Sequence, residues 1–249
     1  MKKRNDSKIT MAALMMMAAM AMTSCASSKK INGDSNASKD SEMGKNEEDL
    51  DNSYLVLSDT QQDIVKKNNA FALRLFNKVT DMESKVISPM SVSYLMGMLA
   101  NGADGITQQE ILKAIGCEGV SVSDLNELYK AMLLTANKQD KQTTVNIANY
   151  IAVNKNFQLN KDFCQKVSDS YLAGIESLDF TSSKSTDRIN GWCKEKTNGM
   201  IPRIIDQVSA DAVSYLMNAI YFKGTWQNKF NAKDTKLENF RGYTRDIQK

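Results

Sequence analysis

Apolar positions recur at helical spacing through the first half of the folded part of the chain. Ile64, Phe71, Leu75, Phe76 and Val79 share one side of a helix, which at this periodicity predicts about five turns with one apolar face. Ser58 and Asp59, followed three residues later by Gln61 and Gln62, supply a capping-box start. Val86-Ile87 reads as a short extended piece, and Ser88-Pro89 then opens a second helix with a serine cap and proline in the first turn. Its residues Met90 to Leu99 are apolar on nearly every side, the pattern of a helix buried in the middle of a domain, and Asn101-Gly102 ends it. Thr107 and Glu110 predict another capping box ahead of Ile111, Leu112 and Ile115, with Gly116 as the stop. Leu125, Leu128, Tyr129, Met132 and Leu133 predict a helix over 123–136.

The period then changes. Val145, Ile147, Ile151 and Val153 alternate, predicting a strand over 144–153. Asn160 is placed to cap a helix carrying Phe163, Val167 and Tyr171, with Gly174 as its stop, and Ile175 to Phe180 reads as a short strand. Ile189, Trp192 and Cys193 mark one more helix, ending near Gly199-Met200-Ile201-Pro202. Val213 to Phe222 is apolar at odd and even positions alike, as in a strand covered on both faces. Asn218 is the polar residue at its centre, and a buried amide is costly unless its hydrogen bonds are met. Helices first, then strands alternating with helices, predict an α+β fold with helices layered on a sheet.

The first 56 residues follow other rules. Lys2, Lys3, Arg4 and Lys8 precede an uncharged apolar run from Met11 to Met22. That run is too short to span a bilayer, so residues 1–24 read as a secretory signal peptide. It closes on Met22-Thr23-Ser24-Cys25, similar to the lipobox of bacterial lipoproteins, with Met where Leu is usual. The expectation is that Cys25 is lipidated and becomes the first mature residue, anchoring the chain in the cell envelope, on the periplasmic face or the cell surface. Residues 26–53 are rich in Ser, Lys, Asn, Asp and Glu and cannot bury enough apolar area to offset their ordering entropy. The segment from 25 to 56 is therefore expected to be a lipidated tether, and as a random coil it would reach roughly 30 Å. The ordered domain is expected over 57–249.

Composition narrows the chemistry. A net charge of +3, with lysines dispersed, gives no case for nucleic acid. Lys130, Lys138 and Lys141 read as part of a solvated face. The chain has no histidine, which removes Ser-His and Cys-His nucleophile arrangements and histidine-ligated zinc. The cysteines Cys25, Cys117, Cys164 and Cys193 form no C-x-x-C pair. No catalytic constellation, metal site or cofactor is expected. Cys117, Cys164 and Cys193 read as buried small hydrophobes, with a Cys164–Cys193 bridge as an open alternative.

Several runs then resemble one family in order along the chain. Asn69-Ala70-Phe71, Leu73 and Leu75-Phe76 are similar to the first helix of serpins, and Ile87-Ser88-Pro89-Met90-Ser91-Val92 to the start of their second. Asn101-Gly102-Ala103, Gly105, Thr107 and Glu110-Ile111 follow the next family pattern. Ile189-Asn190-Gly191-Trp192 and Thr197-Asn198-Gly199-Met200-Ile201 continue it. Asn218-Ala219-Ile220-Tyr221-Phe222-Lys223-Gly224-Thr225-Trp226, then Phe230, Thr235 and Phe240, resemble the central-strand signature. The resemblance implies a serpin-like α+β domain, with N-terminal helices packed on a central mixed β-sheet. It also implies a mechanism: an exposed reactive loop is cut by a serine or cysteine protease and inserts into the main sheet, trapping the protease. Such a protein is an inhibitor and not an enzyme. By position, Ser88, Ser91 and Asn218 match the family's shutter cluster, and Trp226 matches the tryptophan near the breach where the loop first enters.

Lys249 falls before the reactive loop of the family pattern, so the domain is expected to be incomplete here and the target protease cannot be named. Arg241 to Lys249 is polar and is expected to give no closing strand, leaving the strand at 213–222 short of a neighbour on one edge. The alternative function is a non-inhibitory binding or structural lipoprotein that kept the fold, or an inactive fragment.

Overall fold

A computed structural model describes residues 55–81, 85–136, 143–242 and 246–248. The signal peptide, Cys25 and most of the tether, together with Lys138 and Lys141, lie outside the described residues.

Helix α1 runs Asp59–Val79 and starts as its sequence predicts: the Ser58 side chain accepts from the Gln61 N–H while the Gln61 side chain accepts from the Ser58 N–H. Ile64 and Phe71 are buried, whereas Phe76 at the far end is nearly half exposed. Helix α2 is Pro89–Asn101. Ser93, Tyr94, Gly97, Met98 and Ala100 are buried, but Leu99 faces out, so α2 is covered on most sides and not on all. Helix α3, Gly105–Ala114, starts before the expected Thr107 box. Asp104 is the cap, accepting from the Gly105 N–H, and Thr107 lies inside the first turn. At the other end Gly116 has φ +78, in the left-handed region, so the predicted stop holds for a conformational reason. Helix α4 is Val122–Ala136.

Strand β1, Thr143–Asn154, is the centre of a three-stranded mixed sheet in the order β2-β1-β3. Strand β2, Gly174–Leu178, pairs parallel with the last five residues of β1 (Tyr150 opposite Gly174). Strand β3, Ser214–Gly224, pairs antiparallel along nearly the whole of β1, with Asn149 opposite Asn218. Helix α5, Lys161–Tyr171, lies between β1 and β2, capped by Asn160 as expected. Its stop is not Gly174, which already belongs to β2; the chain turns at Leu172, a leucine in the left-handed region at φ 51 and ψ 33. Helix α6 is Ser183–Lys196.

Successive residues of a strand face opposite sides, and β1 shows what each side packs against. Tyr150 stacks on Trp192 of α6, with ring centroids 5.1 Å apart, while its neighbour Asn149 reaches Tyr171 of α5. One core, around Tyr150, Ala152, Trp192, Met217 and Ala219, therefore lies beneath α6. The other side carries α2, α4 and α5, which touch β3, β1 and β2 respectively. On β3 only Met217 and Ala219 are buried; the rest is half covered and Lys223-Gly224 is exposed, so the expected full cover on both faces is not reached. Among the described residues β3 is an outer strand of this sheet. Its last turn leads through a 3-10 turn, Ala232–Asp234, to β4, Asn239–Arg241, which pairs antiparallel with β5, Asp246–Gln248. The tail thus forms a short hairpin of its own, which does not pair with β3, so among the described residues the stretch after Arg241 adds no closing strand to the edge of the main sheet.

Candidate functional site

The polar residues singled out in the sequence sit behind and within the β1–β3 pair. Ser88 is buried as the cap of α2, its hydroxyl accepting from the Ser91 N–H at 3.1 Å. The two hydroxyls lie 2.9 Å apart, in hydrogen-bond contact. Asn218 is at the middle of β3 and donates from Nδ2 to Asn149 Oδ1 at 2.8 Å, with a longer bond to the Ala148 carbonyl at 3.4 Å. Its own Oδ1 is buried and accepts no hydrogen bond among the described residues. Helix α2 packs on β3, which brings the serine pair and Asn218 to the same side of the domain. No direct hydrogen bond joins them.

Trp226 stands apart from this cluster. It lies just past the end of β3, is 70% exposed, and makes an edge-to-face contact with Phe230 at 5.8 Å. That exposure keeps it out of the core formed by the described residues.

Sequence reasoning misses Asn149, the residue that holds Asn218. Asn149 is buried, accepts from Asn218 and donates from Nδ2 to the Tyr171 carbonyl at 2.7 Å. Its one signal is a polar side chain recurring in a largely apolar strand, at Asn146, Asn149 and Asn154. Asn146 uses the same chemistry on the other face, donating to the Lys196 carbonyl at the end of α6 at 3.2 Å.

The α6 face carries the charged groups. Arg188 reaches Glu176 through Nε at 3.1 Å and Nη2 at 2.7 Å, and lies over the Tyr150 ring at 5.7 Å. The Tyr150 hydroxyl donates to the same carboxylate at 2.7 Å. Burial works to raise the Glu176 carboxyl, but the hydrogen bonds from Arg188 and Tyr150 outweigh it and hold the group below the usual range. Burial, then the bond to Glu176, pushes the Tyr150 phenol up. Beside this group lies an open cavity of about 620 Å³ whose walls include Ala148, Ile175 and Trp192. Its charged lining groups are already paired with one another, which leaves no spare charge to fix a ligand.

Cys117, Cys164 and Cys193 are free thiols, so the Cys164–Cys193 bridge is not made. Cys117 and Cys193 are buried as expected, while Cys164 is only half buried. No group of His, Cys, Asp and Glu among the described residues could hold a metal ion. No described helix is long and apolar enough to cross a membrane.

A family model described as "Serpin (serine protease inhibitor)" matches residues 66–248. Iripin-1 of Ixodes ricinus is 33% identical over 180 residues, covering 70% of this chain and 46% of that protein. Serine protease inhibitor 42Dd of Drosophila melanogaster is 31% identical over 170 residues, covering 67% and 46%. The solved structure of the thermophilic serpin tengpin in its latent state superimposes with a TM-score of 0.69 at 30% identity, covering 78% of this chain and 52% of that one. The chain spans about half the length of the relatives it matches. The family match over most of the chain, with a mixed sheet and helix layers like those of its structural neighbours, establishes that this chain belongs to the serpin family.

Proposed function

We propose that residues 57–249 are the N-terminal scaffold of a serpin-type inhibitor of serine or cysteine endopeptidases that acts by conformational trapping, with the reactive loop outside these residues. The observation that carries this reading is β3. It is an eleven-residue strand with a partner on one side only among the described residues, and a buried, unpaired acceptor, Asn218 Oδ1, at its centre. A strand arriving at that edge would gain main-chain hydrogen bonds along β3 and could offer Asn218 the donor it lacks. Ser88, Ser91 and Asn218 act in this reading as the shutter that holds the sheet, and exposed Trp226 marks where the incoming segment first docks. Relatives named as inhibitors, including the leukocyte elastase inhibitor of Bos taurus, support the class; the protease in that name is that relative's own.

The lipid anchor belongs to the same proposal. Cys25 carries acyl chains after signal-peptide removal, and the tether presents the domain outside the membrane, where it protects the envelope from proteases. Replacing Cys25 by Ala should release the chain from the membrane fraction; retention on the membrane would remove the anchor from the account.

The test is to express the product of the full reading frame and incubate it with serine and cysteine proteases. The expected result is an adduct of inhibitor and protease that survives detergent and boiling. Simple cleavage of the chain by every protease, with no adduct, would favour a non-inhibitory binding lipoprotein.

A further inference from the structure

The bonds around Asn149 do not stop at the sheet. Asn149 donates to the carbonyl of Tyr171, the last residue of α5. Carbonyls in the last turn of a helix have no partner within the helix, and here a side chain from the sheet supplies one. The next residue, Leu172, is in the left-handed region. A leucine holds that conformation only where its surroundings impose it, and the grip on the preceding carbonyl is such a constraint. Tyr171 is held at its other end as well. Its hydroxyl donates to Asn126 Oδ1 on α4 at 2.8 Å. Asn126 and Asn101 exchange a pair of amide hydrogen bonds of 2.8 and 2.9 Å, and Asn101 also donates to the Gly97 carbonyl within α2 at 2.8 Å.

These bonds form one line: Asn218 on β3, Asn149 on β1, Tyr171 on α5, Asn126 on α4 and Asn101 on α2. Both residues at its centre are buried, Asn149 at 3% and Tyr171 at 0% exposure, so water offers them no substitute partner. In a medium of low polarity each bond constrains the next. The spare acceptor on Asn218 sits at the sheet end of the line, on the outer strand.

We propose that Asn149 and Tyr171 form a strut coupling the β1–β3 seam to the helices behind it, so that a change confined to Asn218 is felt at the C-terminal turn of α5 and at the Asn101–Asn126 pair. This coupling is a property of the described fold and does not depend on whether the protein captures a protease. Asn146 is the natural control, since it lies on the same strand but ties to α6 on the opposite face.

Hydrogen exchange read by mass spectrometry on the purified chain tests it. Asn218→Ala should speed exchange about tenfold in peptides covering 168–174, a local opening far from the substitution in sequence. Asn146→Ala should leave those peptides unchanged. In an Asn149→Leu background, Asn218→Ala should add nothing at α5, and Tyr171→Phe should loosen the part of α4 around Asn126 without loosening β3. Asn218→Ser is read in the same way if the alanine variant does not fold. Faster exchange confined to β1 and β3, an equal effect from Asn146→Ala, or an undiminished effect in the Asn149→Leu background would each overturn the strut.

Discussion

The hydroxyl of Tyr171 on α5 occupies the space over Gly97 on α2 where any larger residue would place its Cβ. Tyr129 Cε2 at 3.0 Å and Tyr171 Cε1 at 3.1 Å close the same space. Tyr94 and Tyr171 pack edge to face at 6.4 Å, and Tyr94 lies 4.9 Å from Tyr129, so the three rings cannot yield without repacking the junction of three helices. Gly97→Ala should therefore destabilise the protein even though alanine is the better helix former. Overpacking costs about 1–3 kcal/mol, against a gain of about 1 kcal/mol from helix propensity. At Gly191 in α6 a methyl group would meet nothing within 4 Å, so Gly191→Ala should gain stability by about 0.5–1 kcal/mol. Urea unfolding midpoints moving in opposite directions are the expected outcome.

Which interaction holds α6 on the sheet can be separated in the same way. Trp192 is 5% exposed and stacked on Tyr150, so Trp192→Ala should cost about 3–5 kcal/mol. The Arg188–Glu176 pair is 44% and 35% exposed, and Arg188→Ala should cost about 1 kcal/mol or less. Equal losses in thermal or urea unfolding would show that the ion pair carries as much of the contact as the aromatic stack.

Acid should weaken the turn between β2 and α6. Hydrogen bonds from Lys155 and Thr181 hold the Asp179 carboxyl down at about 2 from its ordinary 3.8. A depressed carboxyl contributes stability above its unfolded value and loses it as pH falls through the folded one. The difference in stability between the protein and its Asp179→Asn variant should therefore shrink as pH falls from about 4 to about 2. A difference constant across that window in pH-dependent unfolding would show that the carboxylate is not held by these bonds.

Thiol labelling should divide the cysteines. Burial pushes the Cys117 thiol up to about 11 and also raises Cys193, and neither is open to solvent. The thiolate is the reactive form, so near pH 8 half-buried Cys164 should label first in the native protein, with Cys117 and Cys193 labelling only on unfolding. Peptide mapping of the labelled sites checks the order.

Elements set by neighbours along the chain are legible in the sequence alone. The Ser58–Gln61 box, the Asn160 cap and the Gly116 stop each depend on residues a few positions apart, and all are found. The family resemblance is legible too, because its motifs fall in order along the chain. The features that pattern misses depend on choices between local signals or on distant partners. Thr107 and Asp104 are both good caps, and pattern alone does not show that the helix begins at the earlier one. Gly174 is the obvious stop for α5, but the chain turns at Leu172, next to a carbonyl held by Asn149 from another element. Asn149 itself reads as one of several asparagines in a largely apolar strand; its importance lies in facing Asn218 across the sheet, a register that no single strand records. Trp226 is placed by resemblance, and its exposed position beside Phe230 depends on a chain path that the motif does not encode.

The most direct measurement is hydrogen exchange along β3, Ser214–Gly224, in the product of the full reading frame before and after a single proteolytic cut in the reactive loop that the proposal places outside these residues. If the outer edge of β3 receives the cut segment as a new strand, amide exchange along β3 should slow sharply after cleavage, together with a large rise in thermal stability. Unchanged exchange on β3 and an unchanged melting temperature after complete cleavage would contradict the claim that this sheet works by accepting a strand.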